Sequence, residues 1–246
     1  MARNPEKRAE LVEHLGELRI RLVRVFVYIA AGMVAAWFLY TPIYNALTGQ
    51  MQAVLSDKGG KYLFTNITEP FMLKMQVTLV AALIIVLPLI TIELWKFVSP
   101  GLTKEEKRPL RWTVPLAIFL FVLGAALCYS ILPMAFKWFA YYLPSNAELR
   151  PSVPATIRFE LLMLLAFGCA FELPVVLMLL AQIGIVNSKM LKDYWRYSIV
   201  IISIIAATLT PSNDVFSMMS MAIPLAGLYV ASIWLVKIVE KKHGSG

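Results

Sequence analysis

The sequence predicts an all-α polytopic membrane protein of six transmembrane helices, and three observations carry that expectation. Of 246 residues, 59% are hydrophobic, and the mean hydropathy is +0.71. Only 15% are charged, where a soluble domain would carry about 25%. The apolar residues are also gathered into long blocks parted by short charged or turn-rich segments, the pattern of repeated membrane crossing.

Residues 6–22 open the chain as an amphipathic helix. Leu11, Leu15, Leu18 and Leu22 recur at spacings of four, three and four, which makes one narrow apolar stripe. At helical rotation Glu10, Glu13, Glu17, Arg21 and Arg24 gather on another face, and Arg19 points away from it. Such a helix lies at the interface and leads into the first span. The uncharged run from Val25 to Ser56 is too long for a cleavable signal and has no convincing small-residue cleavage site.

The first span is expected over about 24–42, stopping at Thr41-Pro42. A polar segment, 43–69, turns at Asp57-Lys58-Gly59-Gly60 and forms the largest loop. The second span covers about 70–96, with Pro88 as its kink. The third covers about 110–136 and runs toward Trp138, Phe139, Tyr141 and Tyr142, an interfacial aromatic belt. After the Pro144–Pro154 loop the fourth covers about 157–183, with Glu172 in its middle. The fifth, 193–209, gives roughly 25 Å of helix, short for a hydrocarbon core of about 30 Å. The sixth covers about 215–237. Residues 1–240 thus read as a single membrane domain and 241–246 as a tail, with Gly244-Ser245-Gly246 appended.

An even number of spans places both termini on one side. The termini, the island at 96–111 and the 184–196 loop together hold 17 of the 23 Lys and Arg residues. That asymmetry orients both termini to the cytoplasm, and it explains the net charge of +8 by topology rather than by nucleic acid. Cys128 and Cys169 fall in apolar runs without redox or metal spacing and read as two small buried side chains. His14 and His243 are too far apart to suggest a metal site. There is no GxxxxGK[ST], GxSxG or HExxH motif and no catalytic pair of carboxylates, so neither an enzyme nor a cofactor is expected.

Three constellations remain. Glu17, with Glu105 and Glu106 in the charged island Trp95–Arg111, is either a set of solvated charges paired with Arg21, Lys104 or Lys107, or a receptor for a cationic ligand. Separated carboxylates suit neighbouring guanidinium groups, because each accepts a bidentate fork that lysine cannot reproduce. Glu172 is either a protonated acid bonded to a neighbouring helix or a polar site that water reaches, since an ionised carboxylate at that depth is costly. Asp214, after the Thr210-Pro211 turn, reads as a helix N-cap.

His14-Leu15-Gly16-Glu17-Leu18-Arg19-Ile20-Arg21 resembles the HLxELRxR signature of the TatC family, the receptor subunit of the twin-arginine protein translocase. Trp95, Phe97, Val98, Pro100, Gly101, Leu102, Glu106, Lys107 and Arg108 resemble that family's island motif, with Glu106 in register with its glutamate. Phe167-Gly168-Cys169-Ala170-Phe171-Glu172-Leu173-Pro174 resembles its FGxxFExP, Leu209-Thr210-Pro211 with Asp214 its LTPxxD, and Ala222-Ile223-Pro224 its AIP. The matches keep chain order from residue 14 to 224.

The resemblance implies a concave bundle in a bacterial or archaeal cytoplasmic membrane. It implies a protein that binds twin-arginine signal peptides of folded cargo and recruits TatA- and TatB-like single-span partners, as a homo-oligomer driven by the proton motive force. By position it assigns signal-peptide binding to Glu17, Arg19, Phe97, Glu106 and Arg108. Glu172 and Asp214 become partner contacts, Glu172 facing the hollow of the bundle. Met218 stands where many members carry Gln, and Gln50 stands near the place of a common proline, so partner contacts differ in detail. The competing expectation is a proton-coupled secondary transporter using Glu172, which leaves the acidic groups near the termini idle.

Overall fold

Apolar blocks of this length become helices because lipid offers the backbone no hydrogen-bonding partner. The computed structural model describes residues 5–58, 61–98, 113–144, 147–182, 184–210 and 214–243, with side chains from Gly16 onward except at 57–58, 95, 97–98, 113, 209, 239 and 241–243. Among them the order is α1 (Pro5–Phe38), α2 (Tyr40–Lys58), α3 (Glu69–Val98), α4 (Thr113–Tyr141), α5 (Val153–Ala170), α6 (Leu173–Gln182), α7 (Ser188–Asp193), α8 (Trp195–Leu209) and α9 (Val215–His243). Five stretches are long and apolar enough to cross a membrane: Gly16–Phe38, Glu69–Leu94, Val114–Tyr141, Val153–Gln182 and Val215–Ile238. The shorter apolar helix Trp195–Thr208 is the sixth. At 15 residues, α8 reaches roughly 22 Å.

The amphipathic stretch and the first span form one unbroken helix, α1, since nothing between residues 6 and 38 interrupts the ladder. α1 packs chiefly on α3 at very close range. A Cβ added at Gly32 would lie 2.8 Å from Val86 Cγ1 and 3.3 Å from Ala82, beside the buried alanines Ala36, Ala81 and Ala82. α4 and α5 approach through a reciprocal pair. Gly124 lies under Phe167 and Phe171, and Gly168 lies under the Phe121 ring. Small residues of this kind let helix backbones meet where lipid supplies no hydrophobic drive. Phe121, Leu132, Phe167, Met221 and Leu225 fill the interior around that contact.

The expected polar loop at 43–69 proves largely helical. In α2, Leu47, Met51, Val54 and Leu55 are buried at spacings of four, three and one, a stripe laid on α3, α4 and α5. Averaged hydropathy hid it, because the opposite face is polar. Beyond α2, residue 63 pairs in parallel with residue 152, with Leu63 N–H donating to Pro151 O and Val153 N–H to Leu63 O. This stitch ties the α2–α3 connection to the start of α5.

The fourth span is not one helix. It breaks at Phe171-Glu172 into α5 and α6, because Pro174 cannot donate into the ladder and crowds the carbonyl of Ala170. The turn is tightened by Glu172 N–H donating to Cys169 O at 3.1 Å. Cys169, expected inside, is exposed, whereas Cys128 is buried. The turn leaves Cys169 lining an apolar hollow of about 210 Å³ with Leu173, Val176, Ile202, Ile205 and Leu225. α6 packs on α9 and α9 on α8. α1 rests on α3 at one side of the bundle and α8 on α9 at the other.

Candidate functional site

Glu17, Arg21 and Arg24 lie four and three residues apart on one face of α1, and that face meets the end of the antiparallel helix α3. There Glu93 and Lys96 stand three residues apart, one turn before α3 ends. The Arg21 guanidinium is the centre of the contact. Its Nη2 bonds the Glu17 carboxylate and donates to the Lys96 carbonyl at 3.0 Å. Its Nη1 donates to Glu93 Oε2 at 3.3 Å and to the Glu93 carbonyl at 3.4 Å. Arg24 Nη1 and Lys96 Nζ each approach the Glu93 carboxylate to 3.7 Å.

Burial makes this more than a surface pair. Glu93 is only 4% exposed, and the Arg21 side chain 14%. A carboxylate so placed needs cations around it, and a guanidinium so placed needs acceptors. The Lys96 carbonyl lies in the last turn of α3, so by donating to it Arg21 also caps that helix at the negative end of its dipole.

Of the residues expected to form a binding site, Glu17 belongs to this cluster. Arg19 is exposed on another face of α1 and takes no part in these ion pairs. The backbone of Phe97 lies in the last turn of α3, while its side chain, with Glu106 and Arg108, lies outside the described residues. Glu172 and Asp214 are elsewhere. Glu172 sits at the α5–α6 break, with Oε1 buried and without a hydrogen-bond partner. Asp214 caps α9, its Oδ1 accepting from Ser217 N–H at 2.7 Å.

Sequence reading missed two acids. Glu93 lies near the end of the second expected span, about 70–96, and was absorbed into it. Its signal was available in Arg21 and Arg24, two cations one turn apart on the face of α1 that meets α3. Glu160, on α5, is 0% exposed, with neither carboxylate oxygen bonded. It lies near Tyr62, whose hydroxyl donates to Thr48 O at 3.0 Å. Burial first, with the nearby Glu160 adding to it, pushes the Tyr62 phenol well above its ordinary range.

Among the described residues no group of three or more His, Cys, Asp or Glu could hold a metal ion. What the charged end does is gather three cations, Arg21, Arg24 and Lys96, around two carboxylates fixed on two helices.

Comparison with known proteins gives a consistent picture. Residues 13–224 match the family model described as Sec-independent protein translocase protein (TatC). A protein of that name from Desulforapulum autotrophicum is 39% identical over 246 residues, covering 100% of this chain and 90% of the relative. The chloroplastic relative from Oryza sativa is 33% identical over 96% of this chain and 65% of its own length. A crystal structure described as the twin arginine translocase receptor TatC superposes with a TM-score of 0.77 at 33% identity, over 92% of this chain and 99% of that one. A second, in the detergent DDM, gives 0.79 at 32% identity, over 90% and 98%.

Proposed function

Since the chain belongs to the TatC family of Sec-independent protein translocase proteins and is a multi-pass membrane protein of that transport system, we propose that it is the receptor that takes twin-arginine signal peptides from the cytoplasmic side. Both termini face the cytoplasm, which the skewed distribution of Lys and Arg supports. Glu17 and Glu106 take the two signal arginines, Phe97 packs beside them, and Arg19 and Arg108 complete the surface. Glu172, at the break beside the apolar hollow, contacts partner helices or the inserted signal. Asp214 contributes at the opposite face. TatA- and TatB-like single-span proteins and further copies of the chain complete the pathway.

One observation carries the reading: Glu17 is held on α1 against the end of α3, the helix whose next residues are the charged island with Glu106. Two acids at a membrane boundary can each accept a bidentate fork from one of two adjacent guanidinium groups, while a lysine pair offers only point charges.

The test is a photo-crosslinking experiment in membranes. A signal peptide with Arg-Arg is expected to label the Trp95–Arg108 region, and the same peptide with Lys-Lys to label it far less. Equal labelling by both peptides removes the guanidinium argument and the receptor reading with it.

A further inference from the structure

A groove of about 430 Å³ runs between α8 and α9. Its walls are Trp195 and Ile199 on α8 and Ala226, Val230 and Ile233 on α9. The α9 residues follow at spacings of four and three, so they form one apolar stripe, roughly 10 Å long at helical rise. The floor is Tyr229, which is 5% exposed. Its hydroxyl donates to Leu191 O at 2.7 Å and accepts from Ser198 Oγ at 2.8 Å, which ties the ring to both α7 and α8.

One end of this groove is cationic. Lys192, near the end of α7, lines it, and Lys237 stands one turn beyond Ile233 on the same face of α9. Both lysines are exposed. They share one end of the bundle, because Ser188 at the start of α7 donates its N–H to Glu240 Oε1 at 2.6 Å. Arg196 leans over Trp195, its guanidinium carbon 5.7 Å from the ring centre. The ion pairs among the described residues lie elsewhere, around Glu93 and at Glu148. Of the nearby carboxylates, Glu240 is engaged by Ser188 and Asp193 is exposed, so cations are in excess. The apolar stretches Trp195–Thr208 and Val215–Ile238 begin and end here, and exposed Tyr194, Trp195 and Tyr197 mark the same level as a membrane boundary.

We propose that this groove binds an anionic phospholipid, its acyl chain laid along Ile199, Ala226 and Val230 and its phosphate held between Lys192 and Lys237. Basic pockets between helices at the membrane boundary suit anionic headgroups. A choline lipid brings a cation of its own to a mouth that is already positive. Free phosphate uses the mouth and leaves the apolar stripe uncovered, whereas an apolar partner helix covers the stripe and leaves both lysines unanswered. The site lies on α7, α8 and α9, away from Glu17 on α1, and does not depend on the receptor reading.

Native mass spectrometry of the purified full chain in detergent tests it, with dioleoylphosphatidylglycerol as the anionic probe and dioleoylphosphatidylcholine as the zwitterionic one. Wild type is expected to retain the anionic lipid at least about tenfold better. Lys192→Gln and Lys237→Gln are each expected to weaken that retention about fivefold and to leave the choline lipid unchanged. Ala226→Phe fills the groove with every cation in place and is expected to weaken retention of the anionic lipid as well. Lys61→Gln with Lys137→Gln removes equal charge from the end where Trp138 stacks on Phe216, and is expected to change nothing. Equal retention of both lipids by wild type overturns the proposal, as does a loss from the Lys61 and Lys137 pair matching that from Lys192 and Lys237. Displacement of the lipid by millimolar inorganic phosphate, or full retention by Ala226→Phe, leaves no lipid groove and overturns it too. Dimers in place of lipid adducts, lost on Ala226→Phe, give the groove to a second copy of the chain and likewise overturn it.

Discussion

Arg21 on α1 and Glu93 on α3 are 72 residues apart in sequence, and their side chains meet at 3.3 Å, with Glu93 almost fully buried. The pair clamps two helices that also meet through Gly32, Ala36, Ala81 and Ala82 and through Lys74 over the Trp37 ring. Its two members are not equally dispensable. Replacing a buried ion pair by apolar groups is often close to neutral, whereas removing one partner strands the other. Arg21→Met alone is therefore expected to lower the thermal stability of the detergent-solubilised chain by about 1–3 kcal/mol, since Arg24 and Lys96, at 3.7 Å, only partly replace it beside the buried Glu93. Arg21→Met with Glu93→Met should recover most of it. Melting of the three proteins decides the point, and a double variant less stable than the single one refutes it.

The α4–α5 contact makes a second, purely steric prediction. A Cβ at Gly168 would stand 2.6 Å from two atoms of the Phe121 ring, itself 1% exposed. Gly168→Val is expected to destabilise by at least the roughly 1–3 kcal/mol of an overpacked core. Gly49, in the interior of α2, has nothing within 4 Å of its added Cβ. Gly49→Ala should thus stabilise by about 0.5–1 kcal/mol through reduced backbone freedom in the unfolded chain. Paired melts give opposite signs if the packing is as described.

The glycine and alanine contacts show why some of the fold was legible in sequence and some was not. Six apolar blocks announce six crossings, because burial in lipid is a property of composition over some twenty residues. α2 escaped, because its apolar stripe through Leu47, Met51, Val54 and Leu55 has helical period but low average hydropathy. The break at Glu172 was written in Pro174, yet a span with a proline can either kink or part, and only packing on α9 decides. Glu93 and Glu160 were hidden for one reason. A window average cannot distinguish an acid that ends a span from one that is folded into it. Glu17 was found from its motif, while its sharing of Arg21 with Glu93 depends on a tertiary contact that no local pattern encodes.

At the opposite end of the bundle, Asp214 accepts from Ser217 N–H at 2.7 Å and so caps α9. Asp214→Asn should keep that cap, and Asp214→Ala should cost about 1 kcal/mol. If Asp214 also contacts a partner, export of a reporter should fall for Asn as well as for Ala while the melting temperature of Asn stays unchanged. Loss of export that follows stability alone assigns Asp214 to capping.

Glu172 separates two chemistries by substitution. It lies at the α5–α6 turn beside the hollow lined by Cys169, Leu173 and Val176, with one carboxylate oxygen buried and unbonded. A role in contacting a partner helix requires a polar side chain that reaches the hollow, which glutamine also provides. Proton coupling requires a group that ionises. Glu172→Gln is expected to retain most export of a folded twin-arginine reporter, and Glu172→Ala to lose it. Equal failure of both, with normal signal-peptide binding, would reverse the assignment in favour of proton transfer.

Glu160 gives the clearest sign among the buried acids. It is 0% exposed, with no hydrogen bond to either oxygen, and an unsatisfied buried polar group costs about 1–3 kcal/mol. Methionine has similar length and no such penalty, so Glu160→Met should raise the melting temperature of the purified chain. Glu160→Gln should gain less, because the amide brings its own unsatisfied donors and acceptor into the same apolar site beside Tyr62 and Cys128. A lower melting temperature for Glu160→Met would mean that the acid contributes binding energy where it stands, and the expectation would be wrong. Signal-peptide binding should be unaffected by either change, since Glu160 lies toward the opposite end of the bundle from Glu17.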